Sequence, residues 1–551
     1  MCLVCNFTKP AQGSAMRTAT DDNTRQMRRT VGLSRVFALA VMLAFLFCPT
    51  IARAQKVGES AEGLAVIAAM ERALVQVIDE AENSVVSIAR MRIPSRQALE
   101  LENRNPFQQF GNVNRNQDLP SSLDFVPNDF GAGIIVAPQW DPTRRMILTN
   151  YHVVRGGRID GQASADRSRI FAKFANQRGY DLSIVAADPR SDLAVLKIES
   201  DKLGGNLASF KAIRMTTNDV YRKGQLVITL GNPYFIARDG SASATWGMIS
   251  NIDRRPAPAA SRHEESFRKE TLHHFGTLLQ IDNRLDLGSS GGAVLNLKGE
   301  LVGIATSLAA LEGYEKSVGY AVPIDSATRR IIDSLMHGYE VEYGFLGITP
   351  GSIKRESLLG KGGESSTFDQ PSAAYVQNVF AESPADRAGL MRDDAVLEVD
   401  GHPILGDDDL VRLIGRMGPG VSVRLRVWRH KQRKELNLVV ELGKWPVQDD
   451  ENIIATVPRW QEWRGLTVDY PTARYRYFQP PAERYMQAVL VTQISERSVA
   501  AQSDLKEGDF ISHVDDTPVR NPTEFQRAVR ELKGDVRLTL VERPPVVLHA
   551  Q

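Results

Sequence analysis

Ser290 lies in Leu287-Gly288-Ser289-Ser290-Gly291-Gly292-Ala293-Val294, a serine among glycines followed at once by an apolar run. Glycines beside a serine allow a sharp turn that leaves the hydroxyl accessible. They also free backbone N–H groups to face an oxygen on which negative charge develops. Alone the stretch is weak evidence, because Gly-Ser-Gly clusters are mostly ordinary loops. A serine hydroxyl needs a base, and the base an orienting acid. His152 stands at the end of the apolar run Met146-Ile147-Leu148-Thr149-Asn150-Tyr151, and Asp192 at the start of Leu193-Ala194-Val195-Leu196-Lys197-Ile198. Singly, each has a bland reading: a histidine at a strand end is more often structural, and Asp192 serves equally to cap a turn.

The order His, Asp, Ser changes the weighing. The motifs Thr149-Asn150-Tyr151-His152-Val153-Val154, Ser191-Asp192-Leu193-Ala194-Val195-Leu196-Lys197-Ile198 and Gly288-Ser289-Ser290-Gly291-Gly292-Ala293-Val294-Leu295-Asn296 resemble the HtrA (DegP-like) branch of the chymotrypsin-fold serine proteases. The resemblance implies Ser290 as nucleophile, His152 as base, Asp192 as orienting acid, and the Gly288 and Ser290 amides as oxyanion hole. Ser289 is the rival nucleophile; Ser290 is preferred because it directly precedes Gly291-Gly292, as in the family. Leu285-Asp286-Leu287 replaces the family's Asn-Pro-type turn and Ser289 its Asn, so the oxyanion turn departs from the pattern. The resemblance also implies a primary pocket walled by Arg284, Leu285 and Asp286 and by the strand Ile304-Ala305-Thr306-Ser307-Leu308. Leu285, Thr306 and Leu308 are its expected substrate-binding residues, with Leu308 at the mouth. Two leucines predict a shallow apolar pocket that accepts Val, Ala, Ile or Leu. Asp286 is expected to face solvent or pair with Arg284, since a buried unpaired charge is costly.

The elements that must position these groups read as mainly β. Short apolar or alternating runs are expected as strands over residues 85–88, 133–136, 146–149, 169–174, 193–198 and 225–230. A second set covers 244–249, 277–281, 293–297, 301–306 and 318–322. From the residues alone this is an all-β barrel or sandwich; the resemblance implies two six-stranded-type, trypsin-like β-barrels with the site between them. A helical period spans 59–82. A helix over 325–336, with Ser326 as candidate N-cap, closes the domain. Residues 254–274 are basic and rich in His and Pro. His263, His273 and His274 have no ligand spacing such as H-E-x-x-H, so the segment reads as a solvated loop and no metal is expected. Residues 94–128 read as a long mobile loop, either a spacer or a regulatory loop.

An internal repeat follows. Residues 390–403 align with 505–518, and each copy leads into a helix, 407–417 or 522–532, and then a strand, 421–428 or 536–541. Asn521 as N-cap, Pro522 at the first helical position and Glu524 form a capping-box pattern. The copies resemble PDZ domains, small α+β modules, in the circularly permuted arrangement typical of HtrA proteins. The resemblance implies carboxylate-binding loops at Phe345-Leu346-Gly347-Ile348 and, a poorer match, Trp463-Arg464-Gly465-Leu466. Such a domain adds an extended tail as a strand and holds its carboxylate on backbone amides. Residues 443–462 read as a linker. The expected domains are therefore 60–338 (protease), 343–443 and 460–545 (PDZ).

Composition agrees with an exported globular chain. The 551 residues suit two to four domains, and the net charge of +1 supplies no electrostatic reason for a nucleic-acid partner. Arg28, Arg29 and Arg35, an apolar run over 36–47 and then Ala52-Arg53-Ala54 read as a signal peptide within 1–54, cleaved after Ala54; Met27 is the alternative start. The alternative is an uncleaved anchor, the one case in which membrane association is expected. Cys2, Cys5 and Cys48 all precede the cleavage point, so the mature chain has no thiol chemistry. No cofactor is expected. The reading is a periplasmic or otherwise exported endopeptidase acting on unfolded or damaged proteins, with PDZ domains that bind C-terminal tails or regulate it. A PDZ-based chaperone or scaffold is the alternative. Homo-oligomers, trimers or multiples, are implied by the resemblance alone.

Overall fold

A computed structural model describes residues 52–92, 129–155, 168–175, 178–199, 210–232, 240–255, 271–306, 318–359, 370–448, 450–474, 476–477 and 485–550. The expected export segment, except 52–54, and the loop at 94–128 lie outside them. The helical period extends further than read: α1 spans Ala52–Ala81. Along its C-terminal half, Val77 and Ala81 are buried and Leu74 and Ile78 pack on the core.

The first barrel comprises β1 (Val85–Arg92), β2 (Asp129–Val136), β3 (Met146–Asn150), β4 (Ser168–Lys173), β5 (Gly179–Asp188) and β6 (Leu193–Ile198). Their order is β5-β4-β1-β2-β3-β6, and β6 pairs back onto β5 to close it. β5 escaped the sequence reading, although Tyr180-Asp181-Leu182-Ser183-Ile184 alternates apolar and polar residues as a half-buried strand does. The second barrel comprises β7 (Leu226–Gly231), β8 (Ser243–Arg254), β9 (Leu278–Ile281), β10 (Ala293–Leu295), β11 (Leu301–Thr306) and β12 (Gly319–Pro323), closed in the order β10-β11-β12-β9-β8-β7. One apolar cluster runs through both barrels, with Ile134 and Leu148 from the first and Ile228, Leu295 and Ile304 from the second. Each such side chain contributes about 1.5–3 kcal/mol on burial. The turns between the barrels are thereby held on a rigid base.

The short helix α2 (Tyr151–Arg155) follows β3, and α3 (Ser326–Met336) follows β12. The N-cap of α3 is Asp325, not Ser326: its carboxylate accepts from the Thr328 N–H at 2.9 Å. Asp325 is the last residue with extended backbone, which is what an N-cap requires.

Two five-stranded antiparallel sheets follow, each with a two-residue strand at its side. The first runs Ile348–Lys354, Ser372–Val379, Asp394–Val399, Ser422–Arg429, Lys434–Glu441, with helix α4 (Asp407–Gly415). The second runs Leu466–Asp469, Val489–Ile494, Phe510–Val514, Val536–Leu540, Val546–Leu548, with α5 (Pro522–Val529). The sequence repeat thus produces one topology twice. Asn521 caps α5 through the Glu524 N–H at 2.9 Å, but the Glu524 carboxylate takes the Arg520 N–H, one residue before the cap, so the box is displaced.

Residues 443–462 are more than a linker. Gly443–Lys444 pairs with Gly344–Phe345, and Ile454–Ala455 pairs with Ala186 and Ala187 of β5. β4 covers β5 only from Gly179 to Leu182, which leaves an open edge beyond. An unpaired edge takes another strand.

Candidate active site

The pairing of β3 with β6 brings His152 and Asp192 together. Asn150 lies opposite Leu193, so the residues following one strand and preceding the other leave the same end of the barrel. His152 Nδ1 lies 2.9 Å from each Asp192 carboxylate oxygen, and the His152 N–H donates to Oδ1 at 3.1 Å. A carboxylate only accepts, which puts the ring proton on Nδ1 and leaves Nε2 as the basic face. Nε2 is buried and makes no hydrogen bond. Asp192 sits at φ 53°, and its carbonyl is held by Asn150 Nδ2 at 3.0 Å and the Tyr151 N–H at 2.9 Å. The Thr-Asn-Tyr-His motif therefore fixes the aspartate that its own histidine uses.

The turn around Ser290 is fastened to both barrels. The Ala132 N–H of β2 donates to the Ser290 carbonyl at 2.7 Å, and Gly291 N–H donates to the Ala305 carbonyl of β11 at 2.9 Å. Ser289 N–H closes onto the Asp286 carbonyl at 3.0 Å. Gly288 has φ +94°, and an added Cβ would lie 2.5 Å from the Asn232 carbonyl and 2.9 Å from the Phe130 ring. Gly291 has φ +82°, and a Cβ there would meet the Ala132 carbonyl at 2.1 Å. Both positions thus exclude a side chain by conformation and by space. A Cβ on Gly131 would touch Val153 at 2.7 Å and the Ser290 carbonyl at 3.1 Å, so the helix of His152 and the turn of Ser290 meet across that glycine. Ser289 and Ser290 are both buried.

The expected pocket residues are only partly described. Leu285 is buried in the core of the second barrel with Ile249, Leu279 and Val302. Thr306 ends β11, and its buried hydroxyl has no hydrogen-bond partner. Asp286 lies 3.5 Å from Arg284, which is largely exposed. Leu308 lies outside the described residues, as does His263.

His273 corrects the solvated-loop reading at its end. Residues Leu272–Phe275 form a short 3-10 turn, and His273 is buried in it. Its Nε2 donates to the Ser191 carbonyl at 3.0 Å and its Nδ1 lies 2.6 Å from Thr277 Oγ1. Burial pulls its pKa down, against the opposing pull of Asp192. A histidine beside the Asp192 turn was not legible, because nothing local joins 273 to 191.

The two loops expected to bind a carboxylate differ. In the first, Leu346 is core, and Gly347 at φ +81° presents its carbonyl to Phe380 N–H at 2.9 Å and Ser383 Oγ at 3.2 Å. Ile348 opens the edge strand, and Phe345 packs on Trp445 and Tyr485. In the second, the Arg464 guanidinium lies over the Trp463 ring at 4.7 Å and donates to the carbonyls of Leu548, His549 and Gly534.

Comparison with known proteins agrees with this architecture. A trypsin-like peptidase domain matches residues 131–304, and PDZ domains match 344–440 and 490–543. A probable periplasmic serine endoprotease DegP-like of Halomonas elongata is 28% identical over 487 residues, covering 83% of this chain and 88% of that protein. The periplasmic serine endoprotease DegP of Salmonella typhimurium is 25% identical over 413 residues, covering 75% of this chain and 74% of that protein. A solved HtrA-type protease, AlgW with tripeptide, is 22% identical, covering 68% of this chain and 98% of that chain with a TM-score of 0.45. The chain thus carries a trypsin-like peptidase domain followed by two PDZ domains, the domain content of a serine-type endopeptidase, and over most of its length it is similar to the periplasmic DegP-like endoproteases.

Proposed function

We propose that Ser290 attacks the scissile carbonyl, that His152 takes its proton and returns it to the leaving amine, and that Asp192 holds the imidazole and stabilises the cation. The observation that carries this is the His152–Asp192 pair, with Nδ1 engaged at 2.9 Å and Nε2 left as a base. The Gly288 and Ser290 amides are the proposed oxyanion donors, each worth about 3 kcal/mol in the transition state. His152 Nε2 has no hydrogen bond, so the Ser290 contact forms only when the site becomes productive.

The proposed divisions are a protease domain over 60–338 and PDZ domains over 343–443 and 460–545. Substrates are unfolded or damaged polypeptides. Protein C-terminal tails bind at Phe345-Leu346-Gly347-Ile348, where an edge strand and α4 stand ready for strand addition. The relatives' names and the apolar leader with its Ala52-Arg53-Ala54 pattern support a periplasmic location after cleavage at Ala54. Assembly into trimers or multiples is part of the proposal.

The test is cleavage of a permanently unfolded protein by wild type, Ser290→Ala and His152→Ala. Both variants should keep their melting temperature and lose all cleavage. Persistent cleavage by purified Ser290→Ala would sink the assignment and leave Ser289 as the rival.

A further inference from the structure

The turn that carries Asp192 is completed by a segment outside the barrels. Residues 188–192 reverse the chain between β5 and β6. Asp188 is buried and closes the turn: its Oδ2 accepts from the Ser191 N–H at 2.9 Å and the Ser191 hydroxyl at 2.8 Å, and its Oδ1 from Arg190 Nε at 2.8 Å. The same Oδ2 accepts a hydrogen bond from the Tyr343 hydroxyl.

Tyr343 is fully buried and stands between α3 and the first PDZ sheet. Its carbonyl takes the Trp445 N–H at 2.7 Å, which joins it to the end of that domain. Burial, then the facing Asp188 charge, push the phenol far above its ordinary range, so it stays a donor. The Arg190 guanidinium lies 4.6 Å from the centre of the Tyr343 ring and donates to the Val341 carbonyl at 2.6 Å.

We propose that Tyr343 is a positioning residue for peptide hydrolysis: through Asp188 and Ser191, its hydroxyl holds Asp192 behind His152. The segment entering the first PDZ domain is then a working part of the protease site. This rests on the assignment of Asp192 as the orienting acid. Asp192 at φ 53° follows Ser191 directly, so slack in the Asp188–Ser191 contacts passes to its carboxylate without an intervening element. A misplacement of about 1 Å in such a site costs on the order of a hundredfold in rate. The Ser191 carbonyl is also held by His273, so loss of the phenol hydroxyl loosens the turn without releasing it.

The experiment uses the full chain with Tyr343→Phe, which keeps the ring under Arg190 and removes only the hydroxyl. With a fluorogenic unfolded substrate, kcat should fall about tenfold while KM stays within about twofold. The acid limb of the kcat profile should move to lower pH, because a weaker Asp192 contact stabilises the His152 imidazolium less. A smaller folded fraction would scale the rate and leave the limb in place. A wild-type kcat, or an unmoved limb, overturns the proposal. Should Tyr343→Phe not fold, Ser191→Ala removes another donor to the same Asp188 oxygen and should move the limb the same way; an unmoved limb there is equally fatal. Asp192→Asn runs alongside. Full activity in that variant would refute the assignment of Asp192 itself, whereas its inactivity beside an unaffected Tyr343→Phe would refute only the positioning role.

Discussion

Trp463 and Leu466 hydrogen-bond each other in both directions, N–H to carbonyl, at 2.9 Å each. The first and last amides of the Trp463-Arg464-Gly465-Leu466 loop are thereby engaged across the loop itself. The Trp463 ring stands edge-on to Phe525 of α5, with ring centres 6.0 Å apart. In the first loop Phe345 pairs instead with Gly443, and Ile348 with Val379. Full-length Ser290→Ala should therefore bind an apolar C-terminal peptide at one site per chain in a calorimetric titration. Amidation of the peptide should abolish that binding, since the carboxylate is the group the amides hold. Two sites of equal affinity would overturn this reading of the second loop.

Glu340 and Glu342 flank Val341 and answer to the same buried lysine in opposite ways. Lys444 Nζ lies 3.0 Å from Glu340, 3.6 Å from Glu342 and 2.8 Å from Asp469. Burial alone would raise Glu340, but Lys444, Arg190 and Arg474 outweigh it and hold its pKa down at about 2. For Glu342 burial wins, and its pKa is raised. The lowered Glu340 contributes stability that is present above its unfolded value and is lost as pH falls towards about 2. The raised Glu342 contributes stability below its unfolded value that is lost as pH rises through the folded one, so at neutral pH its charge is a penalty. Glu340→Gln should thus cost about 3–5 kcal/mol at pH 7, and Glu342→Gln less than about 1 kcal/mol. Denaturant unfolding of both variants at pH 7 checks this; equal losses would contradict the opposite signs.

Cleavage should fall after Val, Ala, Ile or Leu. Leu285 is apolar and buried, and Asp286 lies 3.5 Å from the exposed Arg284. The preference should be modest, because one methylene in an apolar pocket is worth about 1–3 kcal/mol. Leu308→Gly should admit Phe. Mass-spectrometric mapping of cut sites in a denatured protein is the measurement; a predominance of Lys and Arg before the cut would mean that Asp286 lines the pocket.

What the sequence determined by itself was local or carried by contiguous motifs. Eleven of the twelve barrel strands stand in the chain as apolar or alternating runs bounded by turns; the one missed, β5, alternates too, from Tyr180 to Ile184, before a stretch that is buried throughout. The residues at 152, 192 and 290, the glycines around the last, and the duplicated PDZ pattern were legible because each is a short string whose chemistry depends on its neighbours. Tertiary structure decided whatever rests on partners distant in the chain. That His273 is buried against Ser191, that Tyr343 closes the Asp188 turn, and that Ile454–Ala455 completes the edge of β5 are pairings across 82, 155 and more than 260 residues. The physical reason is one of context. A strand or cap is set by the periodicity and side chains of a few consecutive residues. The fate of a lone buried polar group is set by whichever donor or acceptor the closed fold brings to it, because burial without a partner is costly.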